Sequence, residues 1–172
     1  MKVKAIEIGE YKTNCYILEK ENNILIIDPG AEFEKIEKEI GKNNVVGILL
    51  THSHFDHIGA VSKIINKYKC ELYDYYNLEE KKYKISNFDF EVIFTPGHSS
   101  DSITFYFKEN KKYFTGDFLF SGTVGRWDFP TGDPNEMKES IEAIKKYEDG
   151  KVYPGHGKMT SLNHEIKYNR YF

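Results

Sequence analysis

The sequence predicts a layered α/β sandwich with mixed β-sheets. Segments with strand character come in groups, with amphipathic stretches between the groups rather than after every strand, which disfavours a doubly wound parallel sheet. Punctuation is confined to short turns, Asp28-Pro29-Gly30, Pro96-Gly97, Gly132-Asp133-Pro134 and Pro154-Gly155, with no linker, internal repeat or low-complexity tract. A chain of 172 residues, 40% hydrophobic and 30% charged, has an ordinary globular balance and can bury a real core. One domain spanning residues 1–172 is therefore expected.

Short length and β-branched or aromatic content mark strands at residues 3–8, 14–19, 23–27, 45–50, 71–73, 88–94, 103–107 and 112–114. Helical spacing marks three further stretches. Phe33, Ile36 and Ile40 share one face of residues 32–40, and Val61, Ile64 and Ile65 share one face of residues 58–68. In residues 134–147, Met137, Ile141 and Ile144 recur at helical spacing, with Pro134 suited to a first turn.

Composition excludes several function classes. A net charge of −3 and a sequence pI near 6.1 leave no electrostatic footprint for nucleic acid or an anionic membrane surface. No apolar run approaches the ~20 residues of a membrane-spanning helix. The N-terminus MKVKAIEIGEYKTNCYI alternates like a strand and lacks the apolar centre of a signal peptide. Two cysteines, Cys15 and Cys70, do not make a disulfide framework, which points to a reducing cytoplasm. The runs EEKKYK and KENKKY interleave both signs and read as solvated faces and turns.

The chemistry concentrates where strands end. IIDPG supplies Asp28, GILLTHSHFDH supplies His52, His54, Asp56 and His57, VIFTPGH supplies His98, YFTGD supplies Asp117, and KVYPGH supplies His156. Of six histidines only His164, in the polar tail, falls outside this pattern. In layered α/β folds strand ends converge on one rim, where catalytic loops sit. Imidazole and carboxylate without thiolate are ligands for zinc, manganese or iron. His52 and His54, two apart, project to one side of an extended chain. Seven such donors (His52, His54, Asp56, His57, His98, Asp117 and His156) exceed what one four-coordinate metal uses. They suit a pair of metals with a bridging carboxylate, and clustering them without a cation would be costly in desolvation and repulsion.

Through Thr51-His-Ser-His-Phe-Asp-His57 the chain resembles the metallo-β-lactamase-fold superfamily, and within it the glyoxalase II-like small hydrolases. The resemblance covers nearly the whole chain: NCYIL at residues 14–18, IIDPGA at 26–31, TPGHS at 95–99, FTGDFLFSGTVGRWDFPTGD at 114–133 and YPGHG at 153–157 are similar to its motifs in the same order. The resemblance implies a four-layer αββα sandwich of two mixed β-sheets. It implies two divalent metal ions, zinc foremost, with iron or manganese also accommodated: His52, His54 and His98 on one, Asp56, His57 and His156 on the other, Asp117 bridging. It also implies that Asp28 braces the histidine loop, although an Asp-Pro-Gly turn accounts for that residue equally well.

The resemblance further implies hydrolysis of a small thioester of the S-lactoylglutathione kind. A hydroxide between the metals would attack the carbonyl, with Asp56 and Asp117 as catalytic carboxylates and Arg126 as a clamp for a substrate carboxylate. Arg126 is one of only two arginines among 24 basic residues, and its alternative partners are Asp128 and Asp133. Trp127 and Phe129 are candidate pocket walls or core aromatics. The C-terminal helical domain of full-length hydroxyacylglutathione hydrolases is not expected, because 172 − 156 leaves 16 residues after His156. Ser99-Ser100-Asp101-Ser102 also departs from the family's continuation of the third-histidine motif. A mononuclear-iron persulfide dioxygenase, using His52, His98 and Asp117, is the alternative function. A metal-dependent nuclease fits the acidic charge less well, and a true β-lactamase fits the Asp56-His57 pair less well.

Overall fold

The inner strands are apolar on both faces, and that requirement dictates layers. In β2 (Thr13–Lys20), Tyr16 and Leu18 enter one buried cluster while Cys15 and Ile17 enter another. In β3 (Asn23–Ile27), Leu25 and Ile27 oppose Ile24 and Ile26 in the same way. The computed structural model, which describes residues 1–172, resolves these clusters into a four-layer αββα sandwich of two mixed sheets.

The first sheet has the order β1-β2-β3-β4-β5, with β1 at Lys2–Ile8, β4 at Asn44–Leu49 and β5 at Leu72–Tyr73. Its first three strands are antiparallel, and β3, β4 and β5 run parallel. The crossovers carry α1 (Phe33–Ile40), α2 (Phe55–Ile58) and α3 (Val61–Tyr68). Ile36, Ile40, Val61 and Ile64 of α1 and α3 cover the outer face of this sheet.

The second sheet follows the order β13-β12-β9-β8-β7-β6. Its strands are β6 (Lys82–Ile85), β7 (Phe88–Phe94), β8 (Ile103–Phe107), β9 (Lys112–Gly116), β12 (Lys151–Pro154) and β13 (Thr160–Ser161). All pairs are antiparallel except β9 with β12, which is parallel. Helix α4 (Pro134–Ile144) lays Met137, Ile141 and Ile144 on its outer face. Between the sheets, Phe88, Phe105, Phe107 and Phe114 pack against Tyr16, Leu18 and Leu25.

Three local departures from the sequence expectation have physical causes. The helix expected over residues 58–68 starts only at Val61, as α3 behind the separate turn α2, because the Ala60 N–H donates to the Pro29 carbonyl at 2.8 Å instead of joining a helical ladder. Gly59 makes that approach possible, since a Cβ there would sit 2.2 Å from the Gly30 carbonyl oxygen. The helix expected over residues 134–147 ends at Ile144, after an Asp133 side chain accepts from the Asn135 and Glu136 N–H groups to start it. The polar tail forms α5 (Leu162–Tyr168), anchored by Leu162 and by a fully buried Glu165 carboxylate. That carboxylate accepts from the Gly122 N–H at 2.8 Å, Thr160 Oγ1 at 2.6 Å and Asn169 Nδ2 at 2.9 Å, so it also pins the hairpin β10 (Leu119–Phe120) and β11 (Thr123–Val124).

Leu25 is completely buried between the sheets. Leu25→Ala is expected to lower unfolding free energy by about 2–5 kcal/mol, read as a lower urea midpoint at unchanged slope.

Candidate metal centre

Strand direction places the donors. β3 and β4 are parallel, as are β9 and β12, and β7 reaches the same orientation through two antiparallel steps. The C-terminal ends of these five strands therefore share one rim, and they deliver Asp28, His52 to His57, His98, Asp117 and His156 to it. All the donors marked in the sequence meet there.

They form two linked groups. His54 Nδ1 lies 3.1 Å from His52 Nε2 and 2.9 Å from His98 Nε2. Asp56 Oδ2 lies 3.5 Å from His57 Nε2 and 3.3 Å from His156 Nε2. Asp117 reaches both groups: its Oδ1 is 3.4 Å from His57 Nε2, and its Oδ2 is 3.6 Å from His98 Nε2 and 3.4 Å from His156 Nε2.

The partners behind each ring decide which nitrogen carries hydrogen. A backbone carbonyl only accepts, so His98 Nδ1–H donates to the Arg126 carbonyl at 2.7 Å, and His156 Nδ1–H donates to the Tyr11 carbonyl at 3.0 Å. His57 Nδ1–H donates to Asp28 Oδ2 at 2.9 Å. Thr51 Oγ1 gives its proton to Asp28 Oδ2 at 2.7 Å, which leaves it to accept from His52 Nδ1–H at 3.1 Å. In the neutral rings, four Nε2 lone pairs thus aim inward, joined by His54 Nδ1. Asp28 also accepts from the Thr51 N–H at 2.8 Å, so one buried carboxylate braces the whole loop.

Protons are the competing occupants of this cavity. Burial disfavours charge on His57, but the Asp28 and Asp117 carboxylates overcome it and lift its pKa to about 10. Burial also opposes protonation of His156, and hydrogen bonding to Asp117 and Asp56 raises its pKa to about 9. For His52 and His98 burial prevails, and both are held below the ordinary imidazole value. Desolvation also opposes charge on the partly buried Asp56 and Asp117, yet His156 and His57 hold both below the usual carboxylate range.

Thr13 carried no sequence signal, and the roles of Asn14, Asp101 and Gly155 emerge only from the fold. Thr13 Oγ1 donates to Asp56 Oδ2 at 2.7 Å, the oxygen that faces His57 and His156. Asn14 Nδ2 donates to the Pro154 and Gly157 carbonyls at 3.0 and 2.9 Å and shapes the turn presenting His156. The Ser53 N–H donates to Asp101 Oδ2 at 3.0 Å, giving the departure after His98 a role in holding the histidine loop. Gly155 must be glycine, because a Cβ would lie 2.2 Å from Asp117 Oδ1 and 2.8 Å from His57 Cε1.

Arg126 lines the same cavity, but its guanidinium is forked onto Asp128 with two 2.6 Å bonds and lies over the Phe129 ring at 4.6 Å. Asp133 is engaged at the start of α4 instead. Phe129 walls the site, 5.2 Å from the His54 ring, whereas Trp127 packs against Tyr171 at 5.7 Å.

Comparison with known proteins agrees with this geometry. A family model described as the Metallo-beta-lactamase superfamily matches residues 8–82 and 74–156. The chain belongs to the metallo-β-lactamase superfamily. Hydroxyacylglutathione hydrolase GloC of Haemophilus influenzae is 30% identical, over 98% of this chain and 97% of its own. The probable metallo-hydrolase YqgX of Bacillus subtilis is also 30% identical, over 98% of this chain and 96% of its own. Among solved structures, BLEG-1 B3 metallo-beta-lactamase matches with a TM-score of 0.92 at 28% identity, over 99% of both chains. TTHA1623 in a di-iron-bound form matches with a TM-score of 0.90 at 30% identity, covering 99% of this chain and 100% of that one.

Membership of this metallo-β-lactamase superfamily implies divalent metal binding, and the residues present fit a metal. His57 Nε2 and Asp117 Oδ1 are buried with no hydrogen-bond partner, a cost that a cation between them would remove. Nitrogen ligands of a tetrahedral zinc stand about 3.3 Å apart, given bonds of ~2.0–2.1 Å, close to the spacing around His54.

Two expectations follow. Gly155→Ala should reduce bound metal by at least about tenfold at equal protein concentration, read by elemental mass spectrometry, because its methyl group occupies ligand space. Since His57 and His156 must lose protons that they hold at neutral pH, metal affinity should rise between pH 6 and 8 by about ten- to a hundredfold per pH unit, measured by chelator competition; a flat profile would contradict that release.

Proposed function

We propose that the protein is a two-metal hydrolase of small thioesters acting in the cytoplasm, with residues 1–172 as one catalytic unit. The observation that carries this reading is Asp117, whose carboxylate lies within 3.6 Å of His98 in one donor group and of His57 and His156 in the other. His52, His54 and His98 would hold one cation, and Asp56, His57 and His156 the other, with Asp117 shared. Zinc is the assigned metal, and iron or manganese suits the same donors. The similarity to hydroxyacylglutathione hydrolase GloC supports a thioester substrate.

Divalent metals bound in this way supply Lewis acidity and bring the pKa of water toward neutrality. The chain's own groups supply position. Thr13 and Asp28 hold Asp56 and His57 in register, and the carbonyls of Tyr11 and Arg126 fix the two rings that face the cavity. The cavity, about 640 Å³ and lined by His54, His98, His156, Asp56 and Asp117, accommodates a small molecule. In the net reaction water adds its oxygen to the acyl carbon, the C–S bond breaks with its electron pair on sulfur, and a carboxylate and a thiol leave with release of one proton. A thiolate leaves readily, so no buried protein acid is required on that side.

A persulfide dioxygenase would use only His52, His98 and Asp117; the complete second set of Asp56, His57 and His156 favours a second cation, and metal count together with oxygen consumption separates the two readings. The protein, reconstituted with zinc, should hydrolyse S-D-lactoylglutathione or a simpler thioester with loss of thioester absorbance, and Asp117→Ala should lower kcat/KM by about 10³-fold or more. Oxygen consumption with a persulfide substrate and no thioester turnover would overturn this function; turnover of β-lactams alone would do the same.

A further inference from the structure

The mouth of the metal cavity is apolar and aromatic, and lysines are missing from its lining. Tyr11 and Phe55 are 60% and 66% exposed, unusually open for large apolar residues, and they pair edge to face at 5.2 Å beside Asp56. Phe120, Phe129 and Pro130 complete the wall. In a chain with 24 lysines and arginines, Arg126 alone of them lines this cavity, and Asp128 already neutralises it with a bidentate pair. The stacking of its guanidinium on Phe129 adds to the hold of that pair.

Exposed aromatic rings around a polar reaction centre are costly in water unless a ligand covers them, and such a collar selects apolar surface. Glutathione brings two carboxylates and a single ammonium group, so its thioesters reach this collar carrying net negative charge. The guanidinium that would receive a carboxylate already pairs with Asp128, so an acidic ligand must compete for it.

Resting on the thioester reading above, we propose that the substrate carries an uncharged aromatic or branched apolar arm against Tyr11, Phe55 and Phe129, and that glutathione thioesters are poor substrates. Tyr11 and Phe55 are then specificity-determining residues. The pair Arg126–Asp128 disfavours acidic substrates, because an incoming carboxylate must compete with Asp128 for the single guanidinium at the rim. The overall reaction is unchanged: water oxygen joins the acyl carbon, and the thiol departs from an uncharged molecule.

The test uses zinc-loaded protein and two inert thioethers, S-phenethyl-N-acetylcysteamine and S-methylglutathione, titrated by calorimetry, so that binding is read without turnover. The expected result is at least tenfold tighter binding of the phenethyl compound, falling tenfold in Tyr11→Ala/Phe55→Ala, with Asp128→Ala improving affinity for S-methylglutathione. Equal affinity, tighter binding of the glutathione compound, or a collar variant that weakens both ligands equally would overturn the proposal. Hydrolysis of S-phenylacetyl-N-acetylcysteamine against S-D-lactoylglutathione is then measured on the same samples. Preferential apolar binding with no hydrolysis of either would refute the thioester reading and leave the collar's preference standing; faster hydrolysis of the glutathione ester would refute the substrate class alone.

Discussion

The buried carboxylate of Asp28 is the interaction on which the site depends. It closes β3 in a left-handed backbone conformation, at φ 51°, and accepts hydrogen bonds from the Thr51 N–H, the Thr51 hydroxyl and His57 Nδ1. One side chain thereby ties the end of β3 to the end of β4, sets the tautomer of His57, and through Thr51 that of His52. Hydrogen bonds to an ionised acceptor are stronger than neutral ones, and inside the sandwich water offers no alternative partner.

That bracing has an electrostatic consequence. Fixed Nδ1 hydrogens force the lone pairs of His52, His57, His98 and His156 into one small volume with two carboxylates. Without a cation, the volume must hold protons, which is why His57 and His156 are pushed to about 10 and about 9. With a cation, the orphaned His57 Nε2 and Asp117 Oδ1 gain a partner. Metal and proton compete for the same atoms, so a site this rigid favours whichever fits its spacing.

Much of this was legible in the sequence because the donors are chemically rare and fall at strand ends. The layered sandwich with mixed sheets followed from the grouping of strands between helices, and its αββα order from the resemblance carried by the histidine motifs. What escaped was set by distance rather than by local pattern. Thr13 is an ordinary strand residue until β2 brings it to Asp56, 43 positions away. Tyr11 and Phe55 are unremarkable singly and form a collar only as a pair. Strands β6, β10, β11 and β13 are too short or too polar to show a period, and α5 is anchored by a buried Glu165 where hydropathy expects solvent. Arg126 stood out in sequence as a scarce arginine, yet its commitment to Asp128 depended on how the loop folds back on itself.

The most direct test of the two-metal site is the number of metal ions per chain, measured by elemental mass spectrometry after reconstitution and removal of excess metal. Two per chain in the wild-type protein, falling to one or fewer in Asp117→Ala, is the predicted result. A single tightly bound ion in the wild type, unaffected by loss of Asp56 or His156, would contradict it.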